Sequence, residues 1–240
     1  MLIRYIVNNN KAMGDLTYFD LLDQSLEGLM QFVDPDEVEV YCFPLQNHPH
    51  ADRIRDMGIT VKIRPWHPLT KLSQYAFKLY MYEDIPDDLI ICDADTLVYN
   101  DPHRLIESTR GFAARADPCS YRDRETSTTV DWDAYYEAVK LTGIDWEPPV
   151  ICNGHMVFKD KERTAEYYNN MLKYFKMIGN GELKPWMLKR YNLFMASMLS
   201  VLETYPREDI WFVSPEEIAV EKIEHVHGRC VFLERWRKKK

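Results

Sequence analysis

Two carboxylates, Asp93 and Asp95, stand at the end of the apolar run 89–92 in the sequence DLIICDADTLV. In an open α/β sheet, ligands bind at the edge formed by the carboxyl ends of the strands. A strand that begins to turn at this edge can aim two carboxylates, spaced two residues apart, at one point. Carboxylate oxygens suit Mg²⁺ or Mn²⁺, and such ions bridge to phosphate oxygens. The pair therefore predicts a metal site for a phosphorylated ligand, and the alternative is a solvated acidic turn.

The elements that position this pair follow from hydrophobic periodicity. Short β-rich runs alternate with helical segments, which predicts an α/β fold with a mixed, mostly parallel central sheet flanked by helices. The predicted strands are 2–8, 38–44, 59–65, 89–93, 111–117, 150–158, 210–213 and 223–227. Asp15 is expected to cap the first helix, and further helices are predicted at 73–83, 160–178 and 187–204. No linker is visible, so we expect one domain over 1–240, with a loop-rich insertion at 120–149 and a basic tail at 229–240.

Composition excludes several function classes. The chain carries 38 Asp+Glu against 30 Lys+Arg, and its net charge of −8 argues against nucleic-acid binding. Five cysteines without metal-type spacing indicate free thiols in a reducing compartment. No signal peptide is evident, and the apolar run 193–202 is too short to span a bilayer. We therefore expect a cytoplasmic protein without a transmembrane segment.

The loop after the first predicted strand excludes two common nucleotide sites. Residues 8–14 read NNNKAMG, which matches neither GxGxxG nor GxxxxGK[ST]. A dinucleotide-binding Rossmann site and a P-loop are therefore disfavoured. Any nucleotide must be held in another way.

The region around the acidic pair resembles the metal-binding region of GT-A fold glycosyltransferases, most closely the glycogenin-like family eight. The resemblance rests on DADTLVYNDPHRL, with Lys78-Leu79 beginning fifteen positions before Asp93. It continues in YFDLLDQSLEGL, which looks like the first helix of the family, in VICNGHMVF, which looks like its Asn-Ser-Gly strand, and in IEHVHGR, which looks like its C-terminal His-x-x-Gly element. The resemblance implies a single GT-A domain. It also implies metal-dependent, retaining transfer of a sugar from a nucleoside diphosphate donor, usually a UDP-sugar, to a hydroxyl acceptor on a glycan or other molecule.

The resemblance also implies a role for each matched residue. Asp93 and Asp95 would be the catalytic residues and would hold Mn²⁺ or Mg²⁺ together with His225, although His227 is an alternative ligand on the same strand. The residues implied to contact the donor are Val7, Asn8, Asn9, Lys78, Asp93, Asn153, Gly154, Gly228 and Arg229.

Two departures from the family pattern affect the phosphate and acceptor sides. Arg229 stands in place of the Lys that usually follows the His-x-x-Gly element, and Tyr191-Asn192 stands about where the family has an Asp-Gln pair. If the enzyme inverts instead of retaining, it needs a carboxylate base. The candidate bases are Asp117, Asp131 and Asp133. Aromatic residues that would stack on an acceptor sugar or pack in the core are Trp132, Tyr135, Tyr136 and Trp146.

Three other functions are open on the sequence. The first is a catalytically inactive sugar-nucleotide-binding module, which the altered segment after Gly228 allows. The second is a haloacid-dehalogenase-type phosphatase, although that family wants Thr or Val where Leu97 stands. The third is a sugar-nucleotide pyrophosphorylase, which would need a Gly-rich loop after the first strand.

Overall fold

The computed structural model describes residues 1–8, 11–13, 16–43, 49–98, 101–116, 130–213 and 223–225. The strands are β1 (Leu2–Asn8), β2 (Lys11–Met13), β3 (Leu16–Thr17), β4 (Val38–Phe43), β5 (Thr60–Ile63), β6 (Asp88–Asp93), β7 (Thr96–Val98), β8 (Phe112–Ala116), β9 (Ile151–Lys159), β10 (Ile210–Val213) and β11 (Ile223–His225). The α-helices are α1 (Tyr18–Leu29), α2 (Pro49–Asp56), α3 (His103–Ser108), α4 (Trp132–Lys140), α5 (Lys161–Gly179) and α6 (Asn192–Thr204). Short 3-10 helices cover Pro35–Glu37, Pro68–Lys71, Ala76–Tyr82, Lys189–Tyr191 and Arg207–Asp209. Across these described ranges, no helix combines the length and apolar character that a bilayer crossing requires.

A seven-stranded sheet with the order β10-β8-β9-β6-β1-β4-β5 forms the centre of the molecule. Strand β1 pairs in parallel with β4 and β6, and β4–β5 and β8–β10 are also parallel pairs. Strand β9 runs antiparallel between β6 and β8. The predicted mixed, mostly parallel sheet is therefore confirmed. Because β1, β4 and β6 are parallel, their carboxyl ends meet at one edge of the sheet.

Both faces of the sheet are covered, which explains why its strands read as nearly continuous apolar runs. Alternate residues of a strand point to opposite faces. Ile3, Tyr5 and Val7 of β1 pack with the buried side of α1, whereas Ile6 packs in the cluster that contains α5 and α6.

Two local predictions are wrong in detail. Helix α1 is capped by Thr17, not Asp15: the amide of Asp20 donates to the Thr17 hydroxyl (3.3 Å), and the Asp20 carboxylate accepts from the Thr17 amide (2.6 Å). This reciprocal pair is a capping box, in which the side chain three residues into the helix decides the cap. The α-helix predicted over 73–83 is the 3-10 helix Ala76–Tyr82, whose tighter turn buries most of its side chains.

The predicted loop-rich insertion contains a helix in its second half. Asp131 caps α4 by accepting from the amide of Ala134 (3.0 Å). Tyr135 is fully buried, its hydroxyl donates to the carbonyl of Pro148 (2.9 Å), and its ring packs edge-on against Trp186. Trp132, Tyr136 and Trp146 pack against the same core. These aromatics therefore serve the core, which was one of the two predicted roles.

The described cysteines are buried thiols. Cys42, Cys92 and Cys152 are buried and are not joined in disulfides, as the sequence predicts. Burial raises the pKa of Cys42 to about 12, because the thiolate would have to form away from water. Its thiol is therefore unreactive at neutral pH.

Gly28 lies where α1 crosses β7. A Cβ at this position would lie 2.5 Å from the carbonyl oxygen of Val98, so the helix and the strand would have to separate. We expect Gly28→Ala to lower the free energy of unfolding, measured by urea denaturation, by about 1–3 kcal/mol. Gly179→Ala is the matched control, because its Cβ would meet only the flexible end of Leu72. Equal stability of the two variants would show that α1 can move away from β7 without cost.

Candidate functional site

The acidic pair lies at the carboxyl end of the central strand β6. Asp93 is the last residue of β6, and Asp95 lies in the turn that leads into β7. Both side chains are half-buried, whereas Ala94 between them is buried in the core. The two carboxylates therefore belong to the sheet edge at which open α/β folds bind ligands.

Lys78 contacts this pair directly. It lies on the 3-10 helix Ala76–Tyr82, its side chain is buried, and its ammonium group donates a short hydrogen bond to Oδ1 of Asp93. The same Nζ lies 5.1 Å from the ring centroid of Phe194 on α6. A lysine is almost never buried unless it is paired. Lys78 is therefore a buried ammonium group held at the site by Asp93.

The strand that contains His225 pairs with the strand that follows the acidic pair. In the antiparallel ladder of β11 and β7, His225 is opposite Thr96, and Glu224 is opposite Leu97. Opposed residues in such a ladder have Cα atoms about 4.5–5.5 Å apart. The backbone of His225 is therefore adjacent to Asp95, although in sequence His225 lies 132 positions after Asp93 and 130 after Asp95. His227, Gly228 and Arg229 lie outside the described residues.

Strand β9 brings two more predicted residues to the same edge. Its ladder with β6 pairs His155 with Cys92, so Gly154 and Asn153 continue toward the carboxyl end of β6. Asn153 is buried, and within the described part of the chain its Oδ1 has no hydrogen-bond partner. Buried polar atoms are nearly always paired. A hydroxyl or amide of a ligand would supply the missing donor.

The end of β1 completes this edge. Asn8, its last residue, pairs through the backbone with Phe43 of β4. Val7 is buried in the core beside α1, so its side chain is not available to a ligand and only its backbone is. Asn9 lies outside the described residues.

A different group of metal-ligating types lies at the start of α1. Atoms of Asp20, Asp23 and His50 lie within 4.8 Å of one another. Asp23 forms ion pairs with His50 and Arg53. Burial opposes ionisation of Asp20, but hydrogen bonds from Thr17 and attraction to His50 outweigh it and lower its pKa. Capping and ion pairing account for this group, which is separate from Asp93 and Asp95.

Sequence reasoning missed an aromatic stack beside Lys78. The ring of Tyr75 stacks on Phe194 (centroids 4.9 Å apart) and on Tyr191 (5.8 Å). The guanidinium of Arg190 lies 4.8 Å from the ring centroid of Tyr191. These residues come from two segments more than a hundred positions apart, so no local pattern could join them.

This chain resembles known proteins in its fold. No protein-family model matches the sequence, and no curated protein matches it. The bifunctional glycosyltransferase WbbM superposes with a TM-score of 0.58 and 13% identity over 88% of this chain, which spans only 38% of WbbM. Galactosyltransferase LgtC, solved with donor and acceptor sugar analogues, superposes with a TM-score of 0.57 and 12% identity over 98% of this chain and 82% of LgtC. Mouse xyloside xylosyltransferase 1 gives a TM-score of 0.50 and 14% identity over 88% of this chain and 84% of its own.

The chain has the GT-A fold. At these identities the likeness concerns the fold and not the activity. Within this GT-A domain, Asp93, Lys78 and the backbone of His225 converge at the carboxyl end of β6. An ammonium group, carboxylates and an orphan amide oxygen therefore lie at the edge where open α/β sheets bind ligands.

Proposed function

We propose that the protein is a metal-dependent glycosyltransferase. It transfers a sugar from a nucleoside diphosphate donor, a UDP-sugar, to a hydroxyl acceptor on a glycan or other molecule, with retention of configuration. The observation that carries this proposal is the convergence of Asp93, Asp95, Lys78 and strand β11 at one strand end of a GT-A fold.

The residues at the site fit a divalent ion. Two carboxylates from one turn, together with the imidazole of a residue on the paired strand, would form a donor set suited to Mn²⁺ or Mg²⁺. The ladder between β7 and β11 supports this set, because it brings the backbone of His225 next to Asp95. When bound, the ion would offset the negative charge that collects on the departing diphosphate.

The protein's own groups prepare the donor site. The hydrogen bond from Lys78 fixes one oxygen of Asp93 and offsets its negative charge, so the phosphates of the donor would approach a carboxylate that is already paired. The orphan Oδ1 of Asn153 would accept a hydrogen bond from a hydroxyl of the donor sugar. Gly154, Gly228 and Arg229, with the end of β1 at Val7, Asn8 and Asn9, would complete the donor site.

Retention is proposed because the described candidate bases have other roles or no support. The carboxylate of Asp131 caps α4 and pairs with Lys184 (2.8 Å). Asp133 is exposed on the first turn of α4, and Asp117 lies outside the described residues. A retaining reaction needs no such base, since the leaving diphosphate can take the proton of the acceptor.

The sheet supports this proposal over a phosphatase. The haloacid-dehalogenase motif has Thr or Val at the position of Leu97, and Asp93 here ends β6 next to the antiparallel strand β9 of a GT-A sheet. An inactive binding module would bind the donor nucleotide without hydrolysing or transferring it, so a turnover measurement distinguishes it from an enzyme.

Thermal denaturation with UDP and GDP, each with and without Mn²⁺, tests the proposal. We expect UDP and Mn²⁺ together to raise the Tm by about 5–10 °C near saturation, because a ligand at a hundred times its Kd stabilises by about 2.7 kcal/mol. UDP alone or Mn²⁺ alone should raise the Tm by a smaller amount. Absence of any metal-dependent shift contradicts the proposal. A shift without donor hydrolysis or transfer would assign the chain to the inactive binding modules.

A further inference from the structure

Two segments of this acidic chain contain no acidic residue. Segments 64–82 and 183–202 lack Asp and Glu altogether, although the whole chain has 38 of them. Their basic residues are Arg64, Lys71, Lys78, Lys184, Lys189 and Arg190. The segments also contact each other: the Ser73 hydroxyl donates to the carbonyl of Arg190 (2.6 Å), and the Asn192 amide donates to the carbonyl of Leu72 (3.1 Å). We call the surface that they form together the basic face.

Half of the basic residues on this face are already neutralised. Arg64 pairs with Glu83, Lys78 with Asp93, and Lys184 with Asp131. The others are Lys71, Lys189 and Arg190, which are exposed and form no ion pair with a carboxylate of the described residues. In a protein of net charge −8, this is positive charge available to an anion from outside.

An aromatic stack connects this charge to the acidic pair. Arg190 lies over Tyr191, Tyr191 stacks on Tyr75, and Tyr75 stacks on Phe194. The ammonium of Lys78 lies over Phe194 and bonds Asp93. Tyr75 and Tyr191 are only half-buried. Aromatic rings of this kind offer a broad apolar surface with a polar edge, which suits the apolar side of a sugar ring.

We propose that the basic face is the acceptor site and that the acceptor carries an anionic group, a carboxylate or a phosphate, beside its reacting sugar ring. This inference rests on the proposed function. The acceptor ring lies against Tyr75 and Tyr191, and its anionic group pairs with Arg190, with Lys71 and Lys189 adding attraction. The acceptor oxygen bonds to the anomeric carbon as the bond from that carbon to the diphosphate breaks. The diphosphate leaves with the electron pair, and the hydroxyl proton passes to it.

Binding of matched small probes tests this proposal without relying on turnover. The probes are 4-nitrophenyl β-glucuronide, the neutral 4-nitrophenyl β-glucoside and 4-nitrophenyl β-glucoside 6-phosphate, titrated into the full chain by isothermal titration calorimetry with Mn²⁺ and UDP present. We expect at least one anionic probe to bind about tenfold more tightly than the glucoside, since charge-assisted hydrogen bonds are the strong ones. The tighter anionic probe tells a carboxylate acceptor from a phosphate acceptor. Added salt should reduce the difference in affinity between the anionic and neutral probes, because it screens their charges.

Variants that each remove one positive charge identify the residues responsible for the tighter binding of anionic probes. Arg190→Gln should abolish the difference in affinity between the anionic and neutral probes, and Lys189→Gln should reduce it. The matched control is Lys184→Gln, which removes the same charge from the same segment at a residue already paired with Asp131, and it should keep the preference. Tyr191→Leu should weaken all sugar probes together.

Three results would overturn the inference. They are equal affinity for the anionic and neutral probes, a preference that survives in Arg190→Gln, and sedimentation with phosphatidylglycerol vesicles without any preference among the soluble probes. The last would assign the face to a membrane surface. The Mn²⁺-dependent shift with UDP is measured on the same samples, so its loss counts against the proposed function and not against the anion preference.

Discussion

Asp95→Asn is expected to lower the rate of Mn²⁺-dependent donor hydrolysis and sugar transfer by about a hundred- to a thousandfold. Asparagine keeps the shape of aspartate, but its neutral amide removes a negative charge and one oxygen ligand from the proposed metal site. The rate is measured as UDP released from UDP-glucose and UDP-galactose at saturating Mn²⁺. The Mn²⁺-dependent rise in Tm with UDP should disappear in the same variant.

Asp87→Asn provides the matched control for this experiment. Asp87 is exposed and immediately precedes β6, at the opposite end of the strand from the acidic pair. The control should retain wild-type rates and the wild-type shift in Tm. Unchanged turnover in Asp95→Asn, with a circular dichroism spectrum like that of the wild type, would show that the reaction does not use the acidic pair.

Arg4→Met is expected to lower the free energy of unfolding by about 3–5 kcal/mol, because three backbone carbonyls lose their charged donor, although Glu39 keeps its ion pair with Lys62. Arg4 on β1 is 1% exposed. Its guanidinium donates to the carboxylate of Glu39 (2.8 Å) and to the carbonyls of Met81 (2.7 Å), Glu83 (2.5 Å) and Asp84 (3.0 Å). Methionine fills similar space but donates to none of them.

The control for Arg4→Met is Arg55→Met. Arg55 forms an exposed ion pair with Asp52 on α2, and such pairs contribute about 1 kcal/mol or less. Urea denaturation of both variants gives the comparison. A similar, small loss in both would mean that the carbonyls of Met81, Glu83 and Asp84 find other donors.

The sheet and its helices were predictable because periodicity is a local property. Strand β10 matches its predicted range, β6 begins one residue before its predicted start, and β9 is displaced by one residue at both ends. Strands buried on both faces of a sheet have nearly continuous apolar sequences, which can be identified as strands when turn-forming residues flank them. The position of Asp93 at a strand end followed from the same pattern.

Local errors arose where alternatives close in energy compete. Both Asp15 and Thr17 are good caps, and the contact of Thr17 with Asp20 decides between them. In the segment Ala76–Tyr82, an α-helix and a 3-10 helix share nearly the same apolar pattern, and burial against the sheet decides between them. Helix α4 was missed because turn-forming residues on both sides obscure a short helix.

The acidic pair, its place at a strand end and the succession of strands and helices along the chain can be read from the residues alone, because each depends on neighbours within a few positions. The partners of the pair depend on the tertiary structure. Lys78 reaches Asp93 across fifteen residues, and the strand of His225 reaches β7 across more than a hundred. The basic face arises in the same way, from two acid-free segments joined by hydrogen bonds. Contacts of this kind depend on how helices and strands pack around the core, and side-chain packing between distant segments leaves no periodic trace in the chain.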